Sequence, residues 1–218
     1  MNVRRQVLVS AGTIGAMLAS AAWAYGRVPA QLVVRWDIGG DPAGFLNRGV
    51  ALVIVPAIAI VLTAVFALAP TVAPARARLD RSAAAWTAVW MAVLANLLFS
   101  QILMVAANLG VRPDVPRVCS LFAAGVIFVI GNWLGKVRYN LVFGLRTPWT
   151  LANERVWDKT HRFAGRLMVL AALVLAGLDV ALPAFSQSAR VLYAAMIACA
   201  GGPALAAVIY SALITRPS

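Results

Sequence analysis

Residues 49–69, GVALVIVPAIAIVLTAVFALA, carry no charged side chain. A helix of about 20 such residues spans the roughly 30 Å hydrocarbon core of a bilayer. Working outward, five further apolar runs stand at 7–25, 86–108, 115–134, 165–182 and 190–214. Together they predict an all-α fold, a polytopic bundle of six transmembrane helices forming one integral membrane domain over 1–218. Composition agrees. Of the 218 residues, 62% are hydrophobic and 12% charged, and mean hydropathy is +0.86, whereas soluble domains are near half apolar and one quarter charged. Pro56 interrupts the second run and Pro203, after Gly201 and Gly202, the last. A proline leaves one backbone carbonyl without its donor, which a bundle tolerates if a neighbouring group satisfies it. Both read as packing features.

The first run follows Asn2, Arg4 and Arg5 and ends in small residues, the outline of a signal peptide. Five later spans favour an anchored first helix. Loop charge then sets orientation. With the N-terminus inside, thirteen basic residues fall on the cytoplasmic side: Arg4, Arg5, Arg76, Arg78, Arg81, Arg216 and the group Lys136, Arg138, Arg146, Arg155, Lys159, Arg162 and Arg166. Six fall outside: Arg27, Arg35, Arg48, Arg112, Arg117 and Arg190. This is the positive-inside bias, and it predicts both termini in the cytoplasm. The net charge of +12 therefore points to anionic membrane lipids and not to direct nucleic-acid binding, since no recognition helix or basic stripe accompanies it. Trp23, Tyr25, Trp36, Trp86, Trp133, Trp149 and Trp157 gather near the span boundaries.

Polar groups inside the spans are the first candidates for chemistry. Asn96, Gln101 and Asn108 stand in the third, Asn132 in the fourth and Asp179 near the outer end of the fifth. Amides in hydrocarbon need partners, so helix adhesion is the plainer use and a pocket lined by Gln101 the sharper one. An intramembrane carboxylate is a functional suspect, although Asp179 lies close to Pro183 and the water interface. The outer loop 26–48 carries a turn at Gly39-Gly40-Asp41-Pro42, with Arg35–Asp37 or Arg48–Asp41 pairing as the simple use of its charges. Cys119 and Cys199 make neither a disulfide framework nor a metal site. His161 is the only histidine. No cofactor is implied.

The densest chemistry lies at 131–166, GNWLGKVRYNLVFGLRTPWTLANERVWDKTHRFAGR. Gly131 and Gly135 permit close helix approach. Phe143-Gly144-Leu145 is apolar but too short to span, so it lies at the interface or tucks beneath the bundle. Arg146-Thr147-Pro148-Trp149-Thr150 makes a turn in which Pro148 holds Thr147 extended. A helix restarts after Thr150 or Asn153, either of which caps it, and Trp157, His161, Ala164 and Met168 then share a face. Asp158 and Arg162 have i,i+4 spacing. The segment suits an anionic headgroup, a peptide or a neighbouring protein, and equally a structural collar; spacing alone does not choose.

The ordered combination Gly131-Asn132, Gly135-Lys136, Arg138, Asn140, Gly144, Arg146-Thr147-Pro148-Trp149-Thr150, Trp157 and Lys159-Thr160-His161 resembles the bacterial SdpI family of membrane immunity proteins. With adjoining helices the likeness covers about 120–190. It sets an SdpI-like C-terminal part at 115–214, including a cytoplasmic loop at 135–164. A weaker likeness near 28–50 is to the DUF1648-like segment that precedes such regions, giving an N-terminal part at 26–85 with the helix 49–69. Here Arg35 stands where that pattern has His, and Val33-Val34 where it has Ile-Pro. The resemblance implies a multi-pass protein of the bacterial cytoplasmic membrane that protects against a secreted, membrane-active antibacterial peptide toxin, and a signalling role through a cytoplasmic repressor or signalling protein. Arg138, Asn140, Arg146, Thr147, Trp149, Trp157 and His161 are its candidate ligand- or partner-binding residues. The alternative is a small-molecule or lipid transporter or lipid-handling protein, motivated by Gln101, Asp179 and the interrupted spans. An enzyme ranks third, because the hydrolytic elbow and HExxH are absent. Small-residue helix faces leave the oligomeric state open.

Overall fold

In the computed structural model the 49–69 run is a helix, α2, spanning Arg48–Leu68 and capped by the Asn47 side chain, which accepts from the Gly49 amide at 2.9 Å. The structure describes residues 3–71, 82–140, 142–182 and 186–215, the side chains of 186–188 excepted. Arg76, Arg78, Arg81, Pro183 and Arg216, used above for topology and spans, lie outside these residues. Ahead of α2 come α1 (Val3–Tyr25) and a hairpin of β1 (Gln31–Trp36) and β2 (Pro42–Asn47). After it come a short 3₁₀ turn (Ala69–Thr71), α3 (Ala83–Asn108), α4 (Val115–Leu134), the single-turn α5 (Pro148–Ala152), α6 (Glu154–Ala181) and α7 (Ser186–Leu213). Among the described residues, six helices are long and apolar enough to cross a membrane. Their outward faces carry large aliphatic side chains, such as Ile54, Val61, Val65, Leu170, Leu173 and Leu205. Apolar surface on that scale belongs against lipid.

The helices run alternately up and down. The hairpin covers one end of the bundle. The segment 135–153 covers the other, hereafter the loop end, where Val3 packs in one cluster with Phe143. Helices α1, α2 and α3 pack together, as do α4, α6 and α7, and α3 against α4 joins the two groups. The tightest crossing is α4 on α6. A Cβ on Gly131 would stand 2.7 Å from the Met168 Cβ and 3.0 Å from the Gly165 carbonyl oxygen. One on Gly165 would stand 2.7 Å from the Gly131 carbonyl oxygen. Only glycine permits this approach, and close van der Waals contact is what holds helices together in lipid.

Pro56 deprives the Leu52 carbonyl of its i+4 amide. Gln101 of α3, fully buried, supplies the missing donor: its Nε2 donates to the Leu52 oxygen at 3.3 Å. The second span's proline and the third span's amide are thus one device.

The fifth helix begins at 154, where the sequence has a helix restart, because Asn153 caps it by accepting from the Arg155 and Val156 amides, and it runs on through the apolar stretch 165–182. One region departs from the sequence-based expectations. The loop 26–48 contains an antiparallel hairpin with Gln31 opposite Asn47 and Trp36 opposite Pro42, irregular between Val33 and Trp36. Its strands are short, and a bulge breaks the period-two alternation that would have marked them. The expected ion pairs are replaced by backbone contacts: Arg35 donates to the Ala43 carbonyl and Arg48 to that of Tyr25. Asp37 Oδ1 accepts from the Asp41 amide, and Gly40 closes the turn at φ +89°. Asn108, at the end of α3, grips β1 from the side. Its Oδ1 accepts from the Val33 amide at 2.9 Å and its Nδ2 donates to the Val33 carbonyl at 3.0 Å, as a neighbouring strand would. Leu32, fully buried, roots the hairpin among Ala21, Ala24, Leu52 and Met104.

Candidate functional site

The loop-end segment is folded around two side chains of α6, one turn apart and both fully buried, Trp157 and His161. Their rings stack at 4.1 Å. The Trp157 indole donates to the Val137 carbonyl at 2.9 Å, just past the end of α4. His161 Nε2 accepts from the Leu145 amide at 3.0 Å. Its Nδ1 therefore carries the proton and donates to the Trp157 carbonyl at 2.9 Å, a neutral tautomer assigned from the network. Gly144 lies flat against this pair at φ +121°, where a Cβ would come within 2.6 Å of His161 Nε2 and 3.0 Å of the Trp157 ring.

Other side chains hold further parts of the segment. Asn140, fully buried, accepts from the Val142 and Phe143 amides at 2.8 Å and donates to the Arg138 carbonyl at 2.9 Å. Thr147, extended as Pro148 requires, forms a reciprocal capping box with Thr150 that starts α5. The Thr150 hydroxyl also donates to the Leu145 carbonyl at 2.8 Å, so both polar groups of that peptide residue are clamped by side chains. Tyr139 meets Trp157 edge-on and donates its hydroxyl to the Leu151 carbonyl at 2.8 Å. Phe143 tucks beneath the bundle against Trp86.

Two hydroxyls bind the segment to the helices above it. Ser82, ahead of α3, accepts from the Arg138 amide at 2.9 Å, and Ser211 of α7 meets the Thr147 hydroxyl at 3.1 Å. Sequence reasoning missed both, along with the roles of Tyr139 and of Ser120. A single hydroxyl in an apolar run, as at Ser120 and Ser211, has no periodicity to betray it. Its only signal is that serine there is otherwise unexplained.

The candidate residues thus divide. Asn140, Thr147, Trp157 and His161 are buried and occupied within the fold. Arg138, Arg146 and Trp149 remain at the surface around them. Arg138 pairs with Asp158 at 3.5 Å, so Asp158 looks across the loop rather than along its own helix to Arg162. With Tyr139 and Glu154 they border a shallow depression of about 360 Å³. Among the described residues no three His, Cys, Asp or Glu side chains are placed to share a metal ion.

The intramembrane candidates do not join this site. Asn96 is exposed on α3 and Asn132 is exposed on α4. Gln101 is spent on Leu52. Asp179 is buried near the hairpin end, where the Ser120 hydroxyl donates to its Oδ2 at 2.8 Å and its Oδ1 has no hydrogen-bond partner among the described residues. About 27 Å of helix separates it from His161 at 1.5 Å per residue, so the two cannot act together.

Comparison with known proteins finds two family matches, one of which takes in this segment. Residues 136–212 match the SdpI/YfhL protein family. Residues 12–60 match a domain of unknown function, DUF1648, which includes much of α1, the hairpin and over half of α2. The chain is 23% identical over 155 residues to the immunity protein SdpI of Bacillus subtilis (strain 168), covering 71% of this chain and 72% of that protein. It is 37% identical over 62 residues to the uncharacterized protein YfhL of the same organism, covering 27% of this chain and 56% of that one. No solved structure matches. The clamped loop with α6 and α7 is therefore similar to the SdpI/YfhL family, the part before it is similar to DUF1648, and the chain is a multi-pass protein of the bacterial inner membrane.

Proposed function

We propose that this protein confers immunity on the cell that carries it, protecting the membrane against a secreted, membrane-active peptide toxin. The observation that supports this most is the likeness to a protein named for immunity, which spans most of both chains. In this reading the loop end faces the cytoplasm, as the thirteen-to-six distribution of basic residues favours. Trp157, His161, Asn140 and Thr147 then act as a rigid frame, and the outward Arg138, Arg146 and Trp149 are the surface presented to a cytoplasmic repressor or other signalling protein. The toxin, arriving from the opposite side, meets the hairpin end or the lipid-facing helices. No catalytic step is required.

The test is membrane depolarisation in toxin-sensitive bacteria exposed to such a peptide, with and without this protein at verified membrane expression. The Bacillus subtilis immunity protein serves as positive control. Suppressed depolarisation supports immunity, and Arg146→Gln with Trp149→Ala should then alter signalling while leaving protection intact. Unchanged depolarisation beside a working control refutes protection against that peptide class.

One observation favours the second reading, lipid or small-molecule handling. A groove of about 840 Å³ opens between α1, α3 and α4, lined by small residues such as Ala84, Ala88, Ala95 and Gly125. Ligand-dependent accessibility changes at both ends of the bundle would support that reading over immunity.

A further inference from the structure

Where α4 leaves the bundle and α6 enters it, the glycine crossing has a second consequence. Gly131, Gly135 and Gly165 present no side chains, so the outer side of the crossing is a depression of about 540 Å³. Each helix lends it an i,i+4 pair of polar side chains: Asn132 and Lys136 from α4 and the residue after its cap, Arg162 and Arg166 from α6. No carboxylate lines it. Lys136 rests over the Trp133 ring at 4.2 Å. Among the described residues, Arg162 and Arg166 have neither an ion pair nor a hydrogen bond. Like charges at i,i+4 repel, which leaves this pair unfavourable until an anion stands between them. One turn deeper the lining becomes apolar, with Val169 and Leu170.

We propose that this depression is a binding site for an anionic glycerophospholipid. Its headgroup phosphate sits among Lys136, Arg162 and Arg166, the Asn132 amide donates to its oxygens, and the acyl chains descend over Val169 and Leu170. Charge decides the occupant: three cations with no carboxylate require a net negative ligand, and the switch from cationic to apolar lining at the membrane boundary fits a lipid rather than a soluble anion. Planar guanidinium groups are well matched to phosphate oxygens. The site adjoins the Trp157–His161 pair but uses neither side chain, and it does not depend on the immunity reading.

Native mass spectrometry of the full-length, delipidated protein in neutral detergent, titrated with lipid, tests this. Phosphatidylglycerol should form a one-to-one adduct that phosphatidylcholine does not, and millimolar inorganic phosphate should not displace it. Arg162→Gln with Arg166→Gln should weaken phosphatidylglycerol binding roughly thirtyfold, taking about fivefold per cation at an interface. Arg155→Gln with Lys159→Gln, an equal loss of charge on the same helix, should change it by less than about twofold. Arg162→Lys with Arg166→Lys keeps the charge and should retain most of the binding, which separates a lost site from a lost fold. Equal retention of the two lipids by the unaltered protein overturns the proposal, as does full binding by the glutamine variant. Displacement by phosphate would show a free-anion site and likewise overturn it.

Discussion

Trp157→Phe isolates the lock that shapes the loop end. The substitution keeps an aromatic ring in a fully buried position but removes the Nε1 donor 2.9 Å from the Val137 carbonyl. Leaving that carbonyl unpaired in the interior costs about 1–3 kcal/mol. The smaller ring also opens a void beside His161 and Gly144, adding about 1 kcal/mol. A total near 2–4 kcal/mol should appear as local opening, because the indole bond closes the segment between α4 and α5. Trypsin reports this directly, since Arg138 and Arg146 lie within the segment and are cleaved when it opens. With opening fast relative to cleavage, 2 kcal/mol corresponds to about thirtyfold faster proteolysis in detergent. Trp149→Phe is the control. Its indole is exposed and has no hydrogen bond or ring partner among the described residues, so cleavage should change by about twofold at most. If the two variants are cut at the same rate, the indole bond does not hold the segment and the account of the lock is wrong.

Three further outcomes follow from particular contacts. Gly165→Ala places a Cβ against the Gly131 backbone and should lower resistance to sodium dodecyl sulfate unfolding by about 1–3 kcal/mol. Gly177→Ala, on the same helix with nothing within 4 Å, should be neutral or slightly stabilising; equal loss from both would contradict the α4–α6 crossing. Gln101→Leu should destabilise by about 1–2 kcal/mol, and adding Pro56→Ala should recover part of that by returning an amide to the Leu52 carbonyl. Strictly additive effects in that cycle would show that the two residues are unconnected. Asn108→Ala removes both bonds to Val33, so hydrogen exchange at the Val33 amide should accelerate tenfold or more while exchange within α2 stays slow.

The spans were legible because each is a one-dimensional property. An apolar run either is or is not long enough to cross hydrocarbon, and 49–69 became α2 within a residue or two of its reading. The Pro56 requirement was legible in the same way: a missing amide demands a donor, whichever helix supplies it. The motif at 131–166 coincides with the segment that closes the loop end, and Thr147, Pro148 and Asn153 took the local conformations their chemistry dictates. The hairpin was not legible, since its strands are too short and irregular to carry a period, and its stability comes from Asn108 and Leu32 rather than from its own pattern.

What the sequence by itself determined is the class of the protein, because hydrophobic length and the distribution of basic residues do not depend on which helix neighbours which. It also determined which residues carry unusual chemistry. Only the tertiary structure decided what that chemistry is spent on. Spacing could not tell that Trp157 reaches Val137, that His161 receives the Leu145 amide, or that Ser82 and Ser211 anchor the loop from helices far away in the chain. Those partners are set by how α3, α4, α6 and α7 pack, and hydrogen bonds between distant segments leave no periodic trace. The same packing turned three glycines into a crossing and left three cations facing one depression.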